Sequence, residues 1–323
     1  MSRLSGVLAA LPALLLLWYL PSLGELYWWR EQTRYGADGD RREIPGFPGP
    51  PDWTPHTLVA LAACALVLGV CLVVSVRRPV FGFVAGVPLT VAGVYGMLSV
   101  DHPRALVEKL GFLSLPGPDV TAEQLRSGTM SHLGQGSCLL AGGALLAAAL
   151  CGLLPSRRPP LSAPLGALAG LAVMAFAWGC VIEGGTRYTE ARPALTALAA
   201  LLLGCAAGAR RLPAVAALAC GLPVFALGLT HVLEKGVLTG IVNVVLPRSL
   251  DSGEHMLLLR GSVFASAIPM LVMGAALVVA ALGRVKDRGR VTSSKRPARP
   301  VPAARRGRTG GTGRAARQRQ AAR

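Results

Sequence analysis

"GVPLTVAG", residues 86–93, sets a proline and two glycines inside an apolar segment, and "GLPVFALG", residues 221–228, repeats the spacing Gly-x-Pro-x4-Gly. In a chain with 39 glycines and 24 prolines the spacing alone decides little; the flanks decide more. Arg77-Arg78 precedes the first copy and Arg210-Arg211 the second, while Glu108-Lys109 follows the first and Glu234-Lys235 the second. "LSG" (4–6) and "LSA" (161–163) each open an apolar run, and "TRY" follows at 33–35 and 186–188. "SGTMSHLGQGS" (127–137) shares its Ser-Gly, a leucine and its Gly-Ser with "SGEHMLLLRGS" (252–262) without a gap. Six anchors in one order imply an internal duplication.

The duplicated units are sets of membrane spans. The chain has 323 residues, 52% of them hydrophobic and 15% charged, with mean hydropathy +0.51. That is too much apolar surface for so few charges to cover in water, and runs of about 20 apolar residues read as transmembrane helices. Eight such runs cover 5–24, 57–76, 79–98, 135–154, 161–182, 193–209, 212–231 and 261–282. Residues 5–24 also fit a signal peptide with "SLG" as a poor cleavage site, but their counterpart in the second half favours a span. The short connections hold arginine pairs at 77–78, 157–158 and 210–211, whereas 15 of the 16 acidic residues lie in the longer, alternate connections. This positive-inside pattern puts both termini in the cytoplasm and four loops outside the cell membrane.

The expected fold is therefore all-α: a polytopic bundle of eight transmembrane helices in two four-helix repeats, 1–156 and 157–283, followed by a disordered basic tail, 284–323. An even number of spans per repeat makes the repeats parallel, related by an axis along the membrane normal. The first half adds a proline-rich loop, "ADGDRREIPGFPGPPDWTPH". The tail holds 14 basic residues and one acid, so it carries +13 of the net +17. Its membrane-proximal residues Arg284, Lys286, Arg288, Arg290, Lys295 and Arg296 are placed to meet anionic headgroups, at about 1 kcal/mol for each basic residue near the surface. No aromatic residue is there to stack on bases, which argues against nucleic acid. Arginine outnumbers lysine 29 to 4, alongside abundant Ala, Gly and Pro, as in a GC-rich bacterial genome.

Chemistry has few places to sit. No Asp, Glu, Lys, Arg or His falls in the middle third of any run, which counts against a midplane carboxylate for proton coupling. With no buried histidine expected, haem ligation inside the bundle is excluded on the same ground. The seven cysteines all lie in runs and read as small packing residues. Pro88 and Pro223 each delete a backbone hydrogen bond, and the resulting kinks pack helices or shape a gate between the halves. The loops "EKLGFLSLPGPD" (108–119) and "EKGVLTGIVNVVLPRSLD" (234–251) read as surface helices or as re-entrant elements. In the second case Glu108, Lys109, Glu234 and Lys235 stand at an outer gate.

All five histidines lie near the outer boundary, where acids such as Glu25, Asp52 and Glu183 join them. His102 follows Asp101, His255 follows Glu254, and His231 precedes Glu234 by three, which makes these histidines the metal candidates. Their spacing matches no established site, so neither metal nor other cofactor is expected, and interfacial polar residues are the preferred reading. Asp38-Gly39-Asp40 resembles the Asp-x-Asp of lipid-linked sugar transferases, whose carboxylates bind a metal or act as a base. No serine or cysteine motif with a nearby histidine is present, and no phosphate-cradling loop, so ATP-driven transport would need a partner subunit. The expected function is a non-catalytic permease or channel-like component, or the membrane subunit of a complex. The alternatives are an outer-face enzyme acting on a lipid-linked or headgroup substrate through Asp38 and Asp40, and a scaffold or immunity-type protein.

Overall fold

A computed structural model describes residues 3–33, 54–98, 101–109, 121–155, 160–186, 191–233 and 268–285. They form α-helices and no strand. Helices α1 (Arg3–Thr33), α2 (Thr54–Arg77) and α3 (Pro79–Leu98) are followed by two short ones, α4 (Asp101–Lys109) and α5 (Ala122–Gly134). Then come α6 (Ser137–Leu153), α7 (Ala163–Thr186), α8 (Ala191–Gly208), α9 (Ala214–Leu233) and α10 (Ile268–Val285).

Six helices, α1, α2, α3, α7, α8 and α10, are long and apolar enough to cross a membrane. The expected span 135–154 is the C-terminal part of a bent pair: α5 and α6 meet at 58° and make a seventh crossing if counted as one. Helix α9 is apolar over the shorter stretch Ala214–Thr230. Helix α1 runs beyond the end of its apolar run because "ELYWWREQT", residues 25–33, contains neither proline nor glycine to stop it. Large apolar side chains cover the outside, among them Val59 (70% exposed), Leu168 (63%) and Phe176 (60%). In water so much apolar surface would drive association; against lipid tails it is matched.

What holds the helices together is close backbone approach at small residues, the packing available where lipid removes the hydrophobic drive between helices. Helix α3 lies on α6 through Gly86, Gly93 and Gly142. A Cβ on Gly86 would come within 2.9 Å of Gly142 O, one on Gly142 within 2.5 Å of Thr90 N, and one on Gly93 into the backbone of Leu139. Helix α9 lies on α10 in the same manner. A Cβ on Gly221 would come within 2.7 Å of Gly274 O, one on Gly274 within 2.5 Å of Phe225 N, and one on Gly228 into the backbone of Leu271. The two glycine motifs of the sequence are thus the contact faces of these two pairs.

Two further contacts match. Gly69 of α2 abuts Ala276 O and Val279 of α10, and Gly204 of α8 abuts Ala144 O and Ala147 of α6. Arginines close the helix ends nearby. Arg284 donates to the carbonyls of Ala206, Ala207, Ala209 and Leu212 at the end of α8, and the exposed Arg210 donates to Gly152 O at the end of α6, 3.1 Å away. These donors meet the carbonyls that a helix C-terminus leaves without partners.

Candidate functional site

The polar chemistry of the described residues gathers where α1 meets the α5–α6 bend. Helix α5 begins at a capping box: Gln124 N donates to Thr121 Oγ1 (3.3 Å) and Thr121 N donates to Gln124 Oε1 (3.0 Å). It then lies against α1 so tightly that a Cβ on Gly128 would strike the carbonyl of Ser22. This approach brings the next polar turn of α5 onto Glu25. Ser131 Oγ and Gln135 Nε2 both donate to Glu25 Oε2 at 3.1 Å, and Gln135 Nε2 also donates to Ser131 Oγ at 3.0 Å.

Glu25 is fully buried, and its Oε1 has no hydrogen-bond partner. Gln135 Oε1 is likewise buried without a partner. The bend itself needs Gly136, whose φ of +81° is left-handed and whose missing Cβ makes room for Met97 Sδ. Arg192 of α8 donates to Gly134 O at 2.7 Å and so closes the end of α5.

The neighbouring residues of the same turn face a narrow cleft with a cavity volume of about 20 Å³, room for about one water molecule. Its walls are mainly apolar: Leu17 and Pro21 of α1, Cys64 and Leu68 of α2, Leu140 and Ala141 of α6, and Ile268, Pro269, Val272 and Met273 of α10. Two polar side chains reach it, His132 and Ser137. His132 Nε2 shares a hydrogen bond with Cys138 Sγ at 3.0 Å, which leaves Nδ1 without a partner, and Ser137 Oγ has none either. Apolar walls with a few converging polar atoms are the usual lining of a site for a small organic ligand, but this cleft as it stands holds no more than about one water. Residue for residue, Ser137, Leu140 and Ala141 of α6 line it as Pro269, Val272 and Met273 line it from α10.

The expectation of no buried histidine is corrected by His132, which is 2% exposed because α5 starts early enough to carry it inward. Among the described residues no group of three or more His, Cys, Asp and Glu is disposed to hold a metal ion, and all seven cysteines are free thiols. His102 stacks on Tyr95 with ring centroids 4.3 Å apart, and its Nδ1 lies 3.1 Å from Tyr95 O. Glu108 and Lys109 are exposed on α4, Glu108 ion-paired with Arg104 at 3.1 Å, and neither lines the cleft. Pro88 faces outward, Pro223 is half-buried, and neither lines the cleft. Arg284 lies at the end of α10 with its guanidinium on helix carbonyls rather than out in the tail.

Asp38, Asp40, Glu234, Lys235, His255, Lys286, Arg288, Arg290, Lys295 and Arg296 lie outside the described residues, as does the side chain of His231. Sequence reasoning missed Ser131, Gln135 and the burial of Glu25. The legible signal was "TAEQ", residues 121–124, the capping-box pattern that starts a helix ahead of the apolar run. Compared with family models, curated proteins and solved structures, the chain has no match.

Proposed function

We propose that the chain is a multi-pass plasma-membrane protein of two parallel four-span units, both termini cytoplasmic, that serves as a non-catalytic permease-type component. The cleft carries this reading: equivalent residues of α6 and α10, one helix from each unit, line it together, and His132 Nδ1 and Ser137 Oγ offer unfilled hydrogen-bonding positions. Support for the duplication is the contact register. One offset relates Gly69, Gly86, Thr90 and Gly93 to Gly204, Gly221, Phe225 and Gly228, and a second relates Leu139, Gly142, Ala144 and Ala147 to Leu271, Gly274, Ala276 and Val279. Once the helices part to admit it, the walls suit a small amphipathic solute, with an apolar body against the leucines and a polar group at His132 and Ser137. The basic tail, in this reading, holds the cytoplasmic face to anionic lipid or to a partner subunit.

The test is uptake of a panel of small amphipathic amines, alcohols and carboxylic acids into proteoliposomes. At least one solute enters faster than into protein-free vesicles, and Ala141→Trp, which fills the cleft, reduces that entry at least about tenfold, the effect of roughly 1.4 kcal/mol. Entry equal to that of bare vesicles for every solute, or entry unaffected by Ala141→Trp, overturns the reading. Orientation is checked separately: a membrane-impermeant thiol reagent labels Asp52→Cys from outside the cell and Arg157→Cys only after permeabilisation.

A further inference from the structure

We propose that Glu25 is the binding site for one exchangeable monovalent cation, a proton or a sodium ion, taken up at Oε1. The inference stands on the polar cluster rather than on the cleft, and cation binding is measured with no solute present. Glu25 is fully buried, and its hydrogen-bond donors, Ser131 and Gln135, are both neutral and both act on Oε2. That leaves Glu25 Oε1 and Gln135 Oε1 as two buried acceptor atoms, on neighbouring side chains, that no described donor reaches. Buried acceptors are normally paired, and a buried carboxylate is normally matched by a positive charge. Here one positive charge at Oε1 meets both demands.

No described side chain of the surrounding helices supplies it. On α2 the titratable groups are His56, which packs on Tyr27, the buried thiols of Cys64 and Cys71, and Arg77 at the opposite end. On α3 there is Tyr95, stacked on His102, and on α5 there are the exposed Glu123 and Arg126 and the buried His132, which is bonded to Cys138. None of them hydrogen-bonds Glu25, and Arg192 of α8 donates to Gly134 O instead. Addition of a proton converts the carboxylate to a neutral acid and makes Oε1 the site of an O–H donor. A sodium ion, being hard, takes the carboxylate and amide oxygens as ligands, with no bond broken. In both cases the charge comes from, and returns to, the bathing solution.

The site lies beside a broken helix, the place where ion sites form in membrane proteins because the interrupted backbone lines a cavity. It is also one residue from the cleft: Ser131 holds Glu25 while His132 faces the chamber. Occupancy of Glu25 therefore bears on the α5–α6 bend, and through it on the shape of the cleft.

The experiment is thermal unfolding of the purified full chain, first with sodium chloride replacing choline chloride at fixed pH, then across pH without sodium. The wild type gains about 3 °C in Tm at a tenfold excess of the cation it binds over its Kd. A response to sodium at fixed pH identifies the sodium ion; a rise on acidification alone identifies the proton. Glu25→Gln, which keeps shape and removes the charge, loses that response. Infrared difference spectra recorded over the same titrations contain a carboxyl C=O band for the proton, or shifted carboxylate stretches for sodium, which are absent from Glu25→Gln and displaced in Ser131→Ala. Identical cation responses in the wild type and Glu25→Gln overturn the proposal. If Glu25→Gln does not fold, Ser131→Ala decides: a carboxyl or carboxylate band that this variant leaves unmoved overturns it equally.

Discussion

The α3–α6 and α9–α10 pairs rest on the same lattice of glycines, yet they open toward the cleft in different ways. Helix α6 enters after a left-handed glycine with Ser137 and Cys138, whereas α10 presents Pro269 and Met270 at the matching positions. Only α6 is preceded, among the described residues, by a bent partner that carries a carboxylate's ligands. The difference teaches that packing and chemistry are separable here. The lattice fixes the distance between backbones deep in the pair, so the entrance of a helix can change its polarity without disturbing the contact beneath. The polar cluster is an addition to one pair rather than a property of both.

That comparison breaks most readily at the glycines. Gly142→Ala and Gly274→Ala each push a methyl group onto a backbone nitrogen 2.5 Å away, and overpacking of this kind costs about 1–3 kcal/mol. Both variants should lose about 5 °C in Tm, measured in detergent by fluorescence. A loss in one with none in the other would show that the two lattices are not equivalent supports. A smaller effect sharpens the contrast between the two helix ends. Arg284→Ala removes a half-buried guanidinium from four carbonyls, at a cost of about 2 kcal/mol for hydrogen bonds to a charged group. Arg210→Ala removes one exposed contact, and such surface changes stay within about 0.5 kcal/mol. Comparable losses in the two variants would remove that distinction. The smallest effect has the opposite sign. Around Gly179 in α7 no atom beyond the local helix backbone and chain neighbours lies within 4 Å of the place an alanine methyl would take, so Gly179→Ala should leave Tm unchanged or raise it, by up to about 1 kcal/mol of helix propensity. A loss as large as that of Gly142→Ala would mean that glycine is needed in these helices for something other than close approach.

Much of the lattice was legible in the sequence. The motif spacing picked out Gly86, Gly93, Gly221 and Gly228, four residues that do sit against the backbone of the partner helix. Their partners Gly142 and Gly274 were not legible as partners, because "LAGGAL" (140–145) and "VMGAAL" (272–277) share only a Gly, an Ala and a Leu, too little in a chain of this composition to be paired without the contact between helices. The charged anchors fare differently. In the contact register Arg77 corresponds to Leu212 rather than Arg210, and Ser137 to Pro269 rather than Ser262. Loop charges answer to the membrane surface, where a shift of a turn or two is tolerated, whereas a glycine under a carbonyl tolerates none. The burial of Glu25 was out of reach for a different reason. Hydropathy ended the first span at residue 24, and only the seating of α5 at Gly128 encloses the side chain that follows. That seating is a tertiary event, set by residues about a hundred positions away.

Cys151 of α6 and Cys205 of α8 place their sulfurs 3.7 Å apart, near the ends of two helices that belong to opposite halves of the chain. The native chain thus carries its own clock for the separation of those helices. With a copper–phenanthroline catalyst and oxygen as the electron acceptor, two thiols become one disulfide and two protons. The speed of that bond's formation counts how often the helices are together. A ligand that parts them would slow it, and no label needs to be attached for the change to be read.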